Sequence, residues 1–185
     1  MPTDTVRPAV RVALLRGINV GGNNKVEMPR LRAMFEAMGM DEVGTYINTG
    51  NVVFTDPAPR PDVADRVRTA IGEEFGLDIP VLVLERDRMI AVAEALPADW
   101  ANDSEAKCDV MFLWADVDGP DVLERVTLVE GVDEVAYVPG AILWKVDRSG
   151  YGRSGMNRIV GSRLYASMTV RNCNTVRKLA DRLSD

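Results

Sequence analysis

Apolar and polar positions along the first half of the chain alternate with two different periods. Two longer segments, at 28–38 and 61–75, repeat apolar residues at helical spacing, each with a proline near its start and a glycine after its end. Four apolar runs have the length and composition of strands, at 9–16, 43–48, 51–55 and 80–84. The order strand, helix, strand, strand, helix, strand is typical of a ferredoxin-like βαββαβ unit.

The same order partly recurs in the second half of the chain. The strands predicted there are 109–114, 134–138, 141–146 and 168–170. The helices predicted there are 86–96, 120–129, 155–166 and a last one that begins after residue 172. We therefore predict an α+β fold of two ferredoxin-like halves with mainly antiparallel sheets. The first half, 1–86, carries a glycine-rich loop, and the second, 87–185, ends in a helix.

Charged residues are unevenly distributed between these elements. Residues 1–32 carry a net charge of +4 and residues 144–182 a net charge of +7, whereas residues 33–143 carry −16. If the two basic ends meet in the fold, they form a basic face that attracts an anion. The alternative is that the acidic helices of the middle segment are simply well solvated.

The content of histidine and cysteine limits the chemistry. The chain has no histidine, which removes the commonest metal ligand and the usual proton carrier near neutral pH. Its two cysteines, Cys108 and Cys173, are far apart in sequence, so neither a metal site nor a cofactor is predicted. The N-terminal stretch has no apolar run ending in a cleavage site, and no segment approaches the roughly 20 apolar residues of a membrane helix. We expect a cytoplasmic protein with free thiols and no membrane partner.

The segment after the first strand is rich in glycine and reads LLRGINVGGNNKVEM, residues 14–28. Two of its glycines have the spacing of a Walker phosphate loop, but the lysine and the serine or threonine of that loop do not follow them. Arg16 and Lys25 flank the glycines, and a helix follows whose N-terminus attracts anions. The alternative is a tight connection that needs glycine for its positive φ angles.

Two further segments are polar and carry groups able to contact a ligand. The first, TYINTGN at 45–51, has the composition of a hairpin turn, but Tyr46 could also stack on a base and its asparagines could donate hydrogen bonds. The second, TVRNCNT at 169–175, predicts a helix cap, and Arg171 beside a helix N-terminus favours an anion. For each segment the alternative is a purely structural role.

Three longer segments together resemble the bacterial family of unknown function DUF1697. They are RGINVGGNNKVEM, TYINTGNVVF and MTVRNCNTVRKLADRL, which occur in the expected order. The resemblance covers nearly the whole chain and implies two ferredoxin-like halves, but no established activity, substrate or catalytic residue. Cys173 departs from the family pattern, which often has an aromatic residue there. The signature positions it implies are Arg16, Gly17, Asn19, Gly21, Gly22, Thr45, Gly50, Asn51, Arg171, Asn172 and Thr175.

We predict that these segments face one another across the two halves and form a polar, basic site for a phosphorylated or otherwise anionic ligand, with nucleic acid one candidate. The alternatives are an enzyme that works without histidine or metal, through Tyr46, Lys25 or a carboxylate of raised pKa, and a protein-interaction module. The residues predicted to bind the ligand are Arg16, Gly17, Asn19, Gly21, Gly22, Lys25, Tyr46, Asn48, Asn51, Arg171, Asn172 and Thr175.

Overall fold

Strands and helices alternate along the computed structural model, which describes residues 7–184. The first six residues, which are part of the N-terminal stretch predicted to lack an export signal, lie outside the described residues. The strands are β1 (Ala9–Leu15), β2 (Asp41–Tyr46), β3 (Asn51–Asp56), β4 (Val81–Glu85), β5 (Ala106–Leu113), β6 (Asp133–Val138), β7 (Ala141–Asp147) and β8 (Met168–Asn172). The α-helices are α1 (Met28–Ala37), α2 (Val63–Phe75), α3 (Arg86–Glu94), α4 (Met156–Ile159) and α5 (Cys173–Ser184). Short 3-10 helices cover Pro120–Arg125, Arg148–Arg153 and Leu164–Ser167.

The strands form two four-stranded antiparallel sheets with the same order. The first sheet runs β2-β3-β1-β4 and the second runs β6-β7-β5-β8, so the first strand of each half lies next to the third and the fourth. The chain divides into two compact units, which we call unit 1 (Met1–Asp87) and unit 2 (Arg88–Asp185). The predicted α+β fold of two similar halves is confirmed.

The sheet of unit 1 is covered by the two predicted helices. Each helix buries three residues at i, i+3 or i+4 spacing, because that spacing places them on one face of the helix. They are Leu31, Met34 and Phe35 of α1 and Val63, Val67 and Ile71 of α2. The rings of Phe35 and Phe54 meet with centroids 5.2 Å apart, so α1 packs directly on the centre of the sheet.

Unit 2 has shorter helices between its strands than the sequence predicts. The helix predicted at 120–129 is a 3-10 helix that ends at Arg125, where the β-branched Val126 turns the backbone to an extended conformation. The region predicted helical at 155–166 contains one four-residue α-helix and one 3-10 turn. Gly161 with φ +108° stops the helix there, and a side chain at Gly155 would overlap the Thr127 carbonyl.

One hydrophobic cluster of unit 2 lies on the face of its sheet that carries Trp144, which is fully buried with Met111, Ile142 and Met168. Val110 and Phe112 of β5 and Leu179 of α5 are also fully buried, outside this cluster. The final helix α5 contacts β5 and β8. Across residues 7–184, every helix is too short or too polar to cross a membrane.

Candidate functional site

The glycine loop, residues 16–27, is anchored to the sheet of unit 1 at its first residue. The backbone N–H of Leu15 donates to the Gly50 carbonyl at 2.8 Å, and that of Arg16 donates to the Pro80 carbonyl at 3.0 Å. From there the chain uses the left-handed region repeatedly, which only glycine and asparagine adopt with little strain. The positive φ angles of the loop are those of Gly17, Asn19, Gly21, Gly22 and Asn24.

The side-chain amide of Asn19 holds the loop closed. Its Oδ1 accepts the backbone N–H of Val26 at 2.9 Å, and its Nδ2 donates to the Val26 carbonyl at 2.9 Å. The same Nδ2 donates to the carbonyl of Asn48 at 2.8 Å, 29 residues along the chain. All three bonds use the amide in its ordinary donor and acceptor roles. Asn19 therefore joins the glycine loop to the turn between β2 and β3.

A second asparagine closes the loop from the other side. The Nδ2 of Asn24 donates to the carbonyl of Gly17 at 2.9 Å, and the backbone N–H of Asn23 donates to the carbonyl of Val20 at 3.1 Å. The segment 20–25, which we call the loop tip, is exposed throughout. The tip is therefore a surface feature held in one conformation by bonds behind it.

The turn between β2 and β3 lies against the base of the glycine loop. Gly50 has φ +81°, and a Cβ at that position would come within 2.7 Å of Leu15 Cβ and 2.9 Å of Ile18 Cδ1. Asn51 is 0% exposed and donates from Nδ2 to the Tyr46 carbonyl at 3.0 Å and to Thr49 Oγ1 at 3.1 Å. Only glycine allows this approach, so the loop and the turn form one packed cluster.

Ile47 occupies an unusual place in this turn. Its φ is +50°, in the left-handed region that β-branched residues avoid. Its side chain is 47% exposed, and Val20 of the loop tip is 61% exposed. Both apolar side chains lie on the two segments that Asn19 joins.

The basic groups of the cluster differ in their surroundings. Lys25 is exposed at the tip, and among residues 7–184 no carboxylate forms an ion pair with it. Arg16 is half-buried at the start of the loop. The loop leads into α1, whose first turn contains Pro29 and has no capping side chain from any described residue. The positive end of α1 thus follows Lys25 closely in sequence, with the acidic residue Glu27 at the N-cap position between them.

The third predicted segment belongs to unit 2 and is largely buried. Arg171 is 7% exposed and donates from Nη1 to Thr169 Oγ1 at 3.0 Å and to the Val170 carbonyl at 2.8 Å. Burial lowers the pKa of its guanidinium to about 10. Asn172 Oδ1 accepts the backbone N–H of Thr175 at 2.9 Å, which caps the first turn of α5 as predicted for this segment. The predicted role of Arg171, Asn172 and Thr175 in ligand binding stays a prediction.

Comparison with known proteins assigns the chain to a family. Residues 9–144 match the sequence model of a family described as Protein of unknown function (DUF1697). The chain belongs to the DUF1697 family. A solved structure, that of the conserved bacterial protein SP0830 from Streptococcus pneumoniae, resembles it with a TM-score of 0.81 and 27% sequence identity, over 95% of this chain and 99% of that one. A comparison with curated proteins gave no match.

The DUF1697 match includes the glycine loop and the β2–β3 turn, and it ends within β7, before the segment 169–175. Of the predicted binding residues, the structure brings together those of unit 1, from Arg16 to Asn51. No group of three or more thiol or carboxylate side chains in residues 7–184 is arranged to hold a metal ion.

Sequence reasoning missed three residues of this cluster. Asn24 was not expected to close the loop, although an asparagine in a glycine-rich segment is the residue most able to share its left-handed conformation. Val20 and Ile47 were not expected to be exposed on joined segments. No local pattern in the sequence marks an exposed apolar residue, so only the structure identifies these two.

Proposed function

We propose that the glycine loop and the β2–β3 turn of unit 1 bind a small anionic ligand that carries a phosphate group. The observation that carries the proposal is the Asn19 amide, which joins the two segments and leaves the loop tip exposed. The bonds from Asn19 and Asn24 fix the tip before any ligand arrives. A site fixed in advance loses little conformational entropy when it binds.

The loop tip offers the donors that a phosphate needs. Within the described chain, the backbone N–H groups of Gly21 and Gly22 have no hydrogen-bond acceptor. Without side chains, these two residues let a phosphate oxygen approach their N–H groups closely. Lys25 of the same loop tip and the N-terminal end of α1 contribute positive potential, which the carboxylate of Glu27 at the N-cap partly offsets.

The charge of unit 1 favours a compact ligand over a long polyanion. Residues 1–87 contain 10 Lys and Arg against 13 Asp and Glu, so the unit is net acidic. An acidic body repels an extended nucleic acid, because such binding depends on neutralising many phosphates at once. A single phosphate group needs only the local basic surface. We therefore test nucleic acid as an alternative ligand and expect a small phosphorylated compound to bind more tightly.

The test measures thermal unfolding of the full chain against phosphate, pyrophosphate, nucleotides, sugar phosphates and short oligonucleotides at low and moderate salt. A ligand at 100 times its dissociation constant stabilises by about 2.7 kcal/mol, which for this size corresponds to roughly 5–10 °C. We expect Lys25→Ala to weaken the affinity for the best phosphate compound by about fivefold or more, since it removes a charge-assisted contact. Lys178→Ala removes an equal charge from the exposed face of α5 and serves as the control. An equal loss in both variants, or no response to the panel, contradicts the proposal.

The second candidate is a protein-interaction surface at the same place. The observation in its favour is the pair of exposed apolar side chains, Val20 in the loop tip and Ile47 in the β2–β3 turn. Isolated exposed apolar residues are common, but two on joined, rigid segments with one in a strained conformation are less so. Failure of every anion in the panel would favour this candidate.

A further inference from the structure

The two cysteines of the chain meet in unit 2. The antiparallel pairing of β5 with β8 places Asp109 opposite Asn172 and Val110 opposite Arg171. Cys108 and Cys173 each adjoin this last pair of the ladder, and Cys173 is the first residue of α5. Opposed residues such as Asp109 and Asn172 have Cα atoms about 4.5–5.5 Å apart, and a disulfide spans about 4.4–6.8 Å, so residues adjoining such a pair are close enough to be bridged. Both side chains are fully buried and both thiols are free.

The two thiols interact with each other and with the groups around them. Their interaction raises the pKa of Cys108 and lowers that of Cys173 to about 7, and the Cys173 thiol donates to the Trp100 carbonyl at 3.7 Å and to Asn174 Oδ1 at 3.5 Å. Burial opposes the lowering at Cys173, and the charge of Arg177, one turn along α5, supports it. Arg177 is held in place by its own bonds to the carbonyls of Trp100, at 2.6 Å, and Pro97, at 2.8 Å. The pair thus consists of one sulfur suited to be a thiolate and one suited to keep its proton.

The residues that cover the two cysteines include Asn102 and Asn174. Asn174 Nδ2 donates to the carbonyl of Asn102 at 2.8 Å, and the Asn102 side chain accepts the backbone N–H of Cys108 at 3.3 Å. These bonds join residues near the surface, next to the N-terminus of α5, where helix ends open most readily. Both sulfurs are buried, so their oxidation in the folded protein requires local opening of this segment to admit a small oxidant.

We propose that Cys108 and Cys173 are a reversible oxidation site, at which a peroxide converts the two thiols into an intramolecular disulfide. The Cys173 thiolate attacks one peroxide oxygen, the O–O bond breaks, and the hydroxide that leaves takes a proton to become water. The sulfenic acid so formed on Cys173 is then attacked by the Cys108 sulfur, which gives up its proton. The S–O bond breaks, the second oxygen leaves as water, and the S–S bond forms. The two sulfurs together lose two electrons and the peroxide gains them.

The disulfide would fasten β5 to the first residue of α5, directly after Arg171 and Asn172. It would close a loop of more than 60 residues, and closure of a long loop removes much of the entropy of the unfolded chain. Because the two residues adjoin the last pair of the β5–β8 ladder, we expect the native fold to need little change to accept the bond. The inference does not depend on the proposed function of unit 1.

The experiment treats the reduced full-length protein with hydrogen peroxide under native conditions and maps its peptides without reduction. Trypsin cleaves after Lys107, Arg125, Arg171 and Arg177, so the two cysteines fall in peptides 108–125 and 172–177. We expect the two peptides to appear linked by a disulfide, with a mass two hydrogens below the sum of their separate masses. Because Met111 lies in the first peptide and is itself oxidised by peroxide, the linked mass is searched for both with and without one added oxygen. Dithiothreitol should restore both thiols.

Two further readouts keep the test decisive. The oxidised protein should unfold at a temperature about 5 °C or more above that of the reduced protein. Cys108→Ser and Cys173→Ser should each abolish the linked peptide and the shift, and alanine variants replace them if a serine variant does not fold. Thiols that stay free in peroxide, a disulfide that forms only in denaturant, bonds between two chains, or a lowered unfolding temperature would each overturn the proposal.

Discussion

Three asparagines of unit 1 direct their side-chain amides to the protein's own backbone. Asn19 bonds to Val26 and to the Asn48 carbonyl, Asn24 bonds to the Gly17 carbonyl, and Asn51 bonds to the Tyr46 carbonyl. The amides of Asn19 and Asn51 each use both of their N–H donors in these bonds, whereas that of Asn24 uses one. At the scale of single residues, the asparagines shape the loop and its neighbouring turn, and the exposed backbone and Lys25 are what a ligand would meet.

Ile47 has a backbone conformation that is unfavourable for its own side chain. We expect Ile47→Asn to raise the free energy of unfolding by about 0.5–1 kcal/mol, because asparagine tolerates φ +50° better than a β-branched residue does. The exposed isoleucine loses little burial in the exchange. Urea denaturation of both proteins measures the difference. Val20→Asn is the matched control, since Val20 is also exposed but does not have a positive φ. A decrease in stability at position 47, or equal changes at both, would refute this account.

At the scale of elements, Gly50 decides how closely the β2–β3 turn approaches β1. Gly50→Ala should cost about 2–4 kcal/mol of unfolding free energy, because the new Cβ would overlap Leu15 and Ile18 and the residue would keep φ +81°. Gly39→Ala is the control: its φ is +83° but nothing lies within 4 Å, so only the backbone strain of about 1 kcal/mol remains. Chemical denaturation of the two variants compares them. Similar costs would mean that the close packing of the turn contributes nothing.

Asp133 organises the short helical turns of unit 2 in a comparable way. Its Oδ1 accepts Trp144 Nε1 at 3.0 Å and the Ser154 hydroxyl, and its Oδ2 accepts the backbone N–H of Val129 at 2.8 Å and of Gly155 at 2.9 Å. Burial alone would raise the pKa of this carboxyl. The four hydrogen bonds outweigh burial, so its pKa lies below the ordinary value.

The lowered pKa of Asp133 gives a pH dependence with a definite sign. The stabilisation is complete above the ordinary pKa of about 3.9, and it is lost as the pH falls through the lower pKa of the folded state. We expect Asp133→Asn to lower the free energy of unfolding by about 2–4 kcal/mol at neutral pH, because the amide NH2 group would face hydrogen-bond donors that the carboxylate accepts. The variant should also lose less stability than the parent protein as the pH falls. Unfolding curves from pH 7 to about pH 2 test both effects. Asp116→Asn, which affects one exposed bond to Ser167, should change neither.

The sequence predicts the elements of unit 1 better than those of unit 2, for a physical reason. Helices α1 and α2 form because local apolar spacing and their end residues agree, and both are visible in sequence. In unit 2, Val126 is extended and ends the 3-10 helix, and Gly155 has its backbone N–H taken by the carboxylate of Asp133, 22 residues before it. Such long-range contacts override local helical preference.

The residues of the candidate site also divide into those that local sequence signals identify and those that only the fold brings together. The glycines, Arg16 and Lys25 could be selected from sequence, because turn chemistry and basic residues are local signals. The bond from Asn19 to Asn48 and the contact of Cys108 with Cys173 could not, because each joins residues that only strand pairing brings together.

At the scale of the whole molecule, the fold repeats one arrangement in two units, each of which has a hydrophobic cluster of its own. The hydrophobic cluster of unit 1, which includes Phe35, Phe54 and Ile71, is drawn only from residues before 88. The cluster built around Trp144 is drawn only from residues after it. Each unit also has a complete four-stranded sheet of its own.

We therefore expect residues 1–87 and residues 88–185 to fold when each is produced alone. A chain of this length with one sheet and one apolar cluster has a typical stability of about 4–8 kcal/mol, which gives a cooperative transition. Circular dichroism during heating and the dispersion of amide proton resonances would measure it. Phe54→Ala in the first fragment and Trp144→Ala in the second should abolish or sharply weaken the transition, because each removes a fully buried ring. A fragment that stays unfolded, while the full chain unfolds in one step, would show that its separate core does not suffice and that folding requires the other unit.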